Sequence, residues 1–457
     1  MRKDNPLVLL GLFLSIAVSS TKISALDLSF GGIVDSSIAR SLSSAGSFAW
    51  FSFSPLASVE DALGESLTLE LRLAPQVNAN TDPAQVTLSP GQSRLRLSFG
   101  NGVIIDLGWM KDEPRAAELF PQSVFYGPSD PLSRFETGGG ATLRETEPMI
   151  EAKFAGDWWR LSAYLAPWMP PLVLSHLDSP WFPSTLVPAS VTIAAQTYQR
   201  RQLIYDASVS SSNDWVFDPS WSLSAGVSLG NLDFDAYYFE GQERNAILYG
   251  DVILGTGVGY SFDVSLVPER RFVRETAASA TLATGAFRFW EESSWTWGAS
   301  FPTGSVASPF LNPGWYYLPG STLVFTQIAP VISVNRLGLT FGSSWNPDIP
   351  GLAFALFAEG TANTYFGSPN GAKPPILSNA IGGGISASDQ MGRFGFELGF
   401  LASLSDWSYA VRPSLHIGFG SDRDLEFAFP LFVGAADSAL GQFSAMRYIT
   451  ATFSQRF

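Results

Sequence analysis

The chain has 457 residues, of which 46% are hydrophobic and only 15% charged, whereas a soluble domain carries about 25% charged residues. It contains no cysteine and two histidines, which excludes disulfides and argues against a zinc site. The formal net charge of −14 argues against nucleic acid as a partner.

Residues 1–25 have the features of a signal peptide. Arg2 and Lys3 precede an apolar run from Leu7 to Val18, and a short polar segment ends in Ile23-Ser24-Ala25. An uncleaved membrane anchor is the alternative, but the apolar run is shorter than the ~20 residues that a spanning helix needs. The sequence therefore predicts a secreted chain with a single domain over residues 26–457 and a net charge of −16.

The rest of the chain alternates apolar and polar residues with the period of a β-strand. Leu67 to Leu73, Leu95 to Phe99, Trp221 to Leu229 and Phe394 to Phe400 show this most clearly. Further strands are predicted near residues 26–31, 47–54, 103–110, 148–155, 158–166, 202–210, 232–240, 256–267, 280–290, 295–301, 321–328, 331–341, 351–359, 379–387, 407–419, 425–433 and 444–457. Several candidates must be merged or discarded, so we expect an even number of strands, about 16, with 14 and 18 open.

The connections differ in length. Gly100-Asn101-Gly102, Gly156-Asp157 and Gly230-Asn231 predict tight hairpin turns. Long connections rich in Pro, Gly and aromatic residues are predicted at residues 111–147, 167–200, 302–320 and 360–378. Short turns at one rim and long loops at the other are typical of an outer-membrane barrel.

Two other architectures compete with a barrel. A helical membrane bundle is excluded because the charge-free stretch Ser293 to Asn335 is interrupted by five prolines. A soluble β-sandwich or propeller would also alternate, but its polar face is usually rich in charges, whereas here it is mostly Ser, Thr and Gly. The Trp residues near predicted strand ends favour interfacial girdles: Trp158, Trp159, Trp168, Trp290, Trp295, Trp297, Trp315 and Trp407.

Charged residues in the predicted strands fall opposite the apolar row, which places them on the inner face of a barrel. There are sixteen, nine acidic and seven basic: Glu70, Arg72, Arg94, Arg96, Asp106, Glu151, Lys153, Arg160, Asp206, Asp233, Asp235, Asp263, Arg288, Glu397, Arg412 and Glu426. Eight of them are candidate lumen or constriction residues: Glu70, Arg72, Arg94, Arg96, Glu151, Lys153, Arg160 and Arg412. We interpret Glu70 with Arg72, and Glu151 with Lys153, as local ion pairs in preference to a selectivity device.

The C-terminal segment alternates and ends on an aromatic residue. Ile449, Ala451, Phe453 and Phe457 match the final strand of bacterial outer-membrane β-barrel proteins, which the chain resembles, whereas Gln455 departs from the usual apolar residue. The resemblance implies an all-β transmembrane antiparallel up-and-down barrel in the bacterial outer membrane, surrounded by lipid. It also implies that Phe457 is a sorting signal read by the barrel-assembly machinery.

Two barrel types are compared on this basis. A barrel like the fatty-acid transporters would carry an Asn-Pro-Ala motif in an N-terminal plug, and residues 26–65 contain none. General porins fold a loop into the lumen, and residues 111–147 are long enough to do so, with charge from Asp112, Glu113, Arg115 and Glu118. The resemblance identifies no subfamily and no oligomeric state.

No enzymatic motif is present. His176 lies in a Pro-rich loop, and His416 faces the same side as Arg412, where we interpret it as a wall residue. We expect no metal and no cofactor. The predicted function is a passive outer-membrane pore for small polar solutes. The alternatives are a surface adhesin or a transporter of hydrophobic ligands, the latter with an apolar capture site in the long loops: Phe120, Phe125, Tyr126, Trp168, Trp181 and Phe182.

Overall fold

The part of the protein that the structure describes is almost entirely β-structure. The computed structural model describes residues 27–41, 47–62, 67–81, 84–89, 93–100, 102–110, 119–120, 147–167, 190–193, 196–205, 219–243, 247–255, 261–269, 272–302, 316–318, 322–325, 331–368, 377–420, 422–435, 438–444 and 448–456. The first strand segments are β1 (Asp27–Ser41), β2 (Ser47–Ala62), β3 (Leu67–Leu73), β4 (Gln76–Thr81), β5 (Ala84–Ser89), β6 (Arg94–Phe99), β7 (Val103–Met110), β8 (Glu147–Ala155), β9 (Trp159–Ala166), β10 (Ser190–Ile193), β11 (Gln196–Tyr205), β12 (Ser220–Leu229), β13 (Leu232–Gln242) and β14 (Ile247–Gly255). The others are β15 (Ser261–Glu269), β16 (Phe272–Thr284), β17 (Phe287–Pro302), β18 (Tyr316–Leu318), β19 (Thr322–Phe325), β20 (Val331–Trp345), β21 (Asp348–Ile349), β22 (Leu352–Phe366), β23 (Ala380–Asp389), β24 (Phe394–Ser403), β25 (Ser408–Gly418), β26 (Arg423–Ala428), β27 (Leu431–Val433) and β28 (Tyr448–Arg456). A 3-10 helix spans Gly441–Phe443. Within these ranges, no helix is long and apolar enough to cross a bilayer.

Most segments form one closed antiparallel barrel of eighteen strands, the upper value of the expected range. The order around the ring is β1, β2, β3, β6, β7, β8, β9, β12, β13, β16, β17, β20, β22, β23, β24, β25, β26 and β28. The segments β4, β5, β21 and β27 continue strands of this ring after short interruptions. The seam is the pairing of β28 with β1, from Ile33 opposite Arg456 to Ser41 opposite Tyr448.

The two rims of the barrel differ as the sequence predicts. The tight turns after β6, β8 and β12 lie at one edge, the short-turn rim, and Gly230 there adopts a left-handed conformation with φ 64°. A further turn at Gly285 (φ 57°) lies on the same rim. The long connections after β7, β9, β13 and β17 leave from the opposite edge, the long-loop rim. The predicted asymmetry is therefore confirmed.

A second, six-stranded sheet is built from the connections after β9, β13 and β17. Its order is β10, β11, β15, β14, β19 and β18, and β11 pairs with β15 in parallel. Strands predicted near residues 202–210, 256–267 and 321–328 thus contribute to this sheet and not to the barrel wall, which corrects that part of the prediction. Alternation alone cannot distinguish a wall strand from a strand folded elsewhere.

The burial pattern identifies the two faces of the wall. In β12, Ser222 and Ser224 are buried whereas Leu223 is 54% exposed, and in β24 Phe394 and Phe396 are exposed. Large apolar side chains therefore point outward while small polar side chains point into the lumen. A soluble sandwich or propeller would show the opposite arrangement, so that alternative is wrong.

Aromatic side chains form bands at both edges of this outer face. Phe287 stacks on Trp345 near the short-turn rim, and Trp295 packs against Phe366 and Trp297 near the long-loop rim. Ten residues of tilted strand between Phe287 and Trp297 span about 25 Å, the height of the apolar band of an outer-membrane barrel. The prediction that Trp290 belongs to a girdle is wrong, because its side chain is buried on the inner face.

Candidate permeation pathway

Six of the eight predicted lumen residues lie together on the inner face of β3 to β8. Cross-strand register places Glu70, Arg96, Asp106 and Glu151 in one row, each opposite the next. Arg96 binds Asp106 in a bidentate ion pair, with Nε–Oδ1 at 2.7 Å and Nη2–Oδ2 at 2.9 Å. Lys153 contacts Glu151 at 2.8 Å, so the pairing inferred from sequence is present. This row thus contains three acids and one arginine, and Arg96 and Lys153 together neutralise the neighbouring acids Asp106 and Glu151.

The other predicted pair, Glu70 with Arg72, is not formed. Glu70 instead lies 3.5 Å from Arg94, the cross-strand neighbour of Arg72. Arg72 has no ion-pair partner among the described residues, and Nε of both arginines lacks an acceptor. Sequence spacing suggested the same-strand pair, whereas the hairpin register brings Arg94 to the acid.

Arg160 continues the charged face onto β9. Its guanidinium binds Asp235 through Nε–Oδ1 at 2.9 Å and Nη2–Oδ2 at 2.5 Å, reaching across the intervening strand β12. Gly226 is the β12 residue opposite both groups, and a Cβ there would lie 2.6 Å from Arg160 Nε. The absence of a side chain at Gly226 is therefore what lets the pair meet.

Arg412 lies on the other side of the ring, on β25. It forms an ion pair with Glu426 of β26, and both side chains are almost completely buried. His416 also faces the lumen, four residues further along β25, as predicted. Of the other charged residues expected on the wall, Asp263 lies in β15 of the second sheet, and Asp206 lies outside the described residues.

Part of the connection between β7 and β8 is docked inside the lumen. Leu119 and Phe120, the docked segment, donate their backbone N–H groups to Glu359 Oε1 on β22 at 2.8 and 2.5 Å. Glu359 Oε2 accepts from Trp290 Nε1 at 2.8 Å, and Thr340 Oγ1 donates to the carbonyl of Phe120 at 2.7 Å. Because β22 stands nearly opposite β7 in the ring, the docked segment lies across the lumen from the strand that precedes it. The predicted inward loop is thus supported at these two residues, and Asp112, Glu113, Arg115 and Glu118 lie outside the described residues.

The docked segment packs against a second inserted element. Leu440 and Phe443, in and beside the 3-10 helix before β28, form an apolar cluster with Leu119 and Phe120, completed by Ala380, Leu401, Ala410, Phe432 and Ala439. The turn before β25 holds this element, since Asp406 Oδ2 accepts from the backbone N–H of Ala439 at 2.6 Å. Two connections therefore narrow the lumen from the same wall.

The sequence reasoning missed several buried polar residues of the inner face. Glu275, Glu292 and Glu359 are almost fully buried there, and Arg336 Nη2 lies 3.2 Å from Glu275. In β16 the outward row carries Arg274 and Thr276, so no contrast in polarity marks the two faces. In β17 the consecutive acids Glu291 and Glu292 place a charge on both faces, so the alternation of polar and apolar residues is interrupted. The described residues contain no group of three or more acidic or histidine side chains able to hold a metal ion.

A closed barrel with an apolar, aromatic-banded outer face and a polar inner face defines a transmembrane β-barrel of the bacterial outer-membrane type, and this chain is such a barrel. No known family model and no curated protein matches its sequence. Among solved structures, it is similar to OpdQ of Pseudomonas aeruginosa at 8% identity, covering 95% of this chain and 99% of that one, with a TM-score of 0.47. It is also similar to a loop-deletion mutant of the outer membrane protein OmpT of Vibrio cholerae (9% identity, 95% and 100% covered, TM-score 0.42). An anion-selective porin from Comamonas acidovorans gives 10% identity, 95% and 100% coverage and a TM-score of 0.40. These likenesses concern the barrel fold and assign no solute to this chain.

Proposed function

We propose that the protein is a passive, water-filled pore for small polar solutes and has no catalytic role. The observation that carries this proposal is the inner wall, where rows of paired charges such as Arg96–Asp106 and Arg160–Asp235 line a barrel of eighteen strands. A ring of that size is too wide for wall side chains to fill, so its interior holds water wherever no inserted loop occupies it. Charged walls suit hydrated solutes and disfavour apolar ones.

The inserted elements support a limit on solute size. The docked segment and the 3-10 helix occupy one side of the lumen and are held there by Glu359 and Asp406. The open cross-section is therefore smaller than that of an unobstructed barrel of eighteen strands, which favours small solutes.

The charge of the wall supports a weak preference for cations. Acidic residues outnumber basic ones on the described inner face, since Glu275, Glu292 and Glu359 add to the acids expected from sequence. Nearby arginines neutralise part of this charge, so the preference is modest.

The hydrophobic-transporter alternative has less support. Phe120, one of its capture residues, packs against Leu401 and other side chains of the apolar cluster. The protein's own side chains therefore cover Phe120 where a hydrophobic ligand would have to bind. The remaining capture residues, Phe125, Tyr126, Trp168, Trp181 and Phe182, lie outside the described residues, as do residues 1–25 and Phe457. Cleavage after Ala25, and the role of Phe457 as a sorting signal, are parts of the same proposal.

Reconstitution into a planar bilayer tests this function. Purified, heat-modifiable protein should give stable open current steps with weak cation preference, and liposome swelling should fall with increasing sugar size. Detergent extract without the protein is the control. Silent insertion, or lipid that copurifies stoichiometrically with the barrel, would contradict the pore and favour the hydrophobic transporter.

A further inference from the structure

His416 lies at the lumen side of the short-turn rim, where the proposed pore opens. It belongs to the inward row of β25, and its side chain is 29% exposed. Four polar groups surround the imidazole. Nε2 lies 3.2 Å from Ser414 Oγ and 3.8 Å from both Glu397 and Glu426, and Nδ1 lies 3.5 Å from Asp424.

The carboxylates around His416 are not equivalent. Glu426 is buried and paired with Arg412, so these two charges largely cancel. Glu397 and Asp424 have side chains 39% and 45% exposed, and His416 is the only base within ion-pair distance of either one among the described residues. Two water-accessible negative charges at this mouth therefore depend on one imidazole for neutralisation.

The protonation state of the imidazole determines how many carboxylates it can donate hydrogen bonds to. A neutral ring has one N–H, so donation from Nδ1 to Asp424 leaves Nε2 as an acceptor for the Ser414 hydroxyl. The protonated ring donates from both nitrogens and faces a carboxylate on each side. Protonation therefore adds one positive charge between carboxylates that lie near both ring nitrogens.

Other charged groups at this rim lie further away or are already paired. Arg393 binds Asp389 on the turn between β23 and β24 at 3.1 Å. Arg423 belongs to the outward row of β26, and Arg456 belongs to the inward row of β28, two residues beyond Ser454, the partner of Asp424. The inward residues Ser386 and Ser388 of β23 carry no charge. Within the described residues, His416 is thus the group at this mouth whose residue type changes charge between pH 5 and 8.

We infer that His416 sets the ion selectivity of the short-turn mouth, an inference that rests on the proposed pore function. With the imidazole neutral, Glu397 and Asp424 attract cations into the mouth. When His416 is protonated, the local charge is roughly halved and the cation preference falls.

The expected size of the effect follows from Coulomb's law. One elementary charge about 8 Å from a monovalent ion in water changes its local concentration about twofold, in opposite senses for cations and anions. The ratio of cation to anion permeability should therefore fall about fourfold from pH 8 to pH 5. Low ionic strength is required, because the Debye length is about 30 Å at 0.01 M but only about 10 Å at 0.1 M.

Reversal potentials in a salt gradient test this, measured on the full-length protein in planar bilayers at pH 5 and pH 8. His416→Asn, which never charges, should keep the high-pH selectivity at both values. His416→Lys, which stays charged, should show the low-pH selectivity at both. Asp389→Asn is the control, because that carboxylate is already paired on the same rim and its loss should leave the pH dependence intact.

The outcomes separate the two proposals. Channels with selectivity that does not change with pH, or an Asn variant that keeps the full pH dependence, would overturn the role of His416. Absence of channels from correctly folded parent protein would instead refute the pore itself. Heat-modifiable mobility on a gel confirms that each variant is folded.

Discussion

The docked segment should be released when Glu359 is shortened. Glu359 accepts two backbone N–H groups of Leu119 and Phe120 and the indole N–H of Trp290, and its side chain is 1% exposed. Hydrogen bonds to a charged group contribute about 1.5–3 kcal/mol each, so losing the two that hold the segment weakens docking by about 3–6 kcal/mol. The apolar side chains of Leu119 and Phe120 oppose release, each by about 1.5–3 kcal/mol. Glu359→Ala therefore removes about half of these interactions, and the released state becomes more populated than in the parent.

Single-channel recording measures this change. Glu359→Ala should raise the mean conductance and add current fluctuations as the segment leaves and returns. Glu359→Gln removes the same charge but keeps one acceptor oxygen for the two backbone N–H groups, so it should be quieter. The difference in conductance between the two variants separates the effect of the lost hydrogen bonds from the effect of the lost charge.

A second perturbation reaches the same contact from the wall. A Cβ at Gly382 would lie 2.7 Å from Leu119 Cδ1, so Gly382→Val should displace the segment without changing any charge. Gly399→Ala is the matched control, since the nearest atom to its new Cβ is 3.9 Å away. If Glu359→Ala and Gly382→Val both conduct as quietly as the parent, the docked segment does not limit permeation and the reasoning fails.

Three further predictions concern the wall, a loop and the C-terminus. Gly226→Ala should separate Arg160 from Asp235 and lower stability by about 1–3 kcal/mol, seen as loss of heat-modifiable mobility at a lower temperature, whereas an unchanged transition would mean the pair adjusts freely. Burial raises the pKa of Asp406, but hydrogen bonds from the N–H of Ala439 and from the Ser408 hydroxyl lower it by more, so the net pKa lies below the usual range. Its hold on the 3-10 helix is therefore present above about pH 4 and lost as the pH falls through the lowered pKa. Relative to the intrinsic exchange rate at each pH, the amide of Ala439 should lose protection from hydrogen exchange under acid in the parent and already at neutral pH in Asp406→Asn, and equal protection in both proteins at neutral pH would refute this. Deleting Phe457 should reduce the amount of assembled barrel in the outer membrane without altering the conductance of the molecules that do assemble, and normal yield would reject it as a sorting signal.

Strands with strong contrast between their faces could be predicted from sequence. In β12 and β24, Ser or Gly alternates with Leu or Phe, and lipid on one side and water on the other require that pattern. The β16–β17 hairpin was harder, because Ala and Thr occupy both faces of β16. A predicted strand at residues 280–290 therefore ran through the turn at Gly285.

The side-chain contacts inside the lumen could not be predicted, because they depend on hairpin register and on contacts between residues far apart in the sequence. The inward direction of Glu70, Arg94 and Glu151 follows from the period of the strand, but the partner of Glu70 depends on hairpin register. The contact between Leu119 and Glu359 joins residues 240 positions apart, and no local pattern marks either of them. Local periodicity thus predicts which face a residue occupies, while ring closure decides what it meets there.

The β1–β28 seam makes the first and last strands of the barrel mutual partners. Until they meet, every other wall strand can be paired while these two still present rows of free backbone N–H and C=O groups. Hydrocarbon cannot hydrogen-bond such edges, so an unclosed sheet is unstable at membrane depth. Closure of this seam therefore removes both free edges at once, and a chain that lacked β28 would present two unpaired edges to its neighbours.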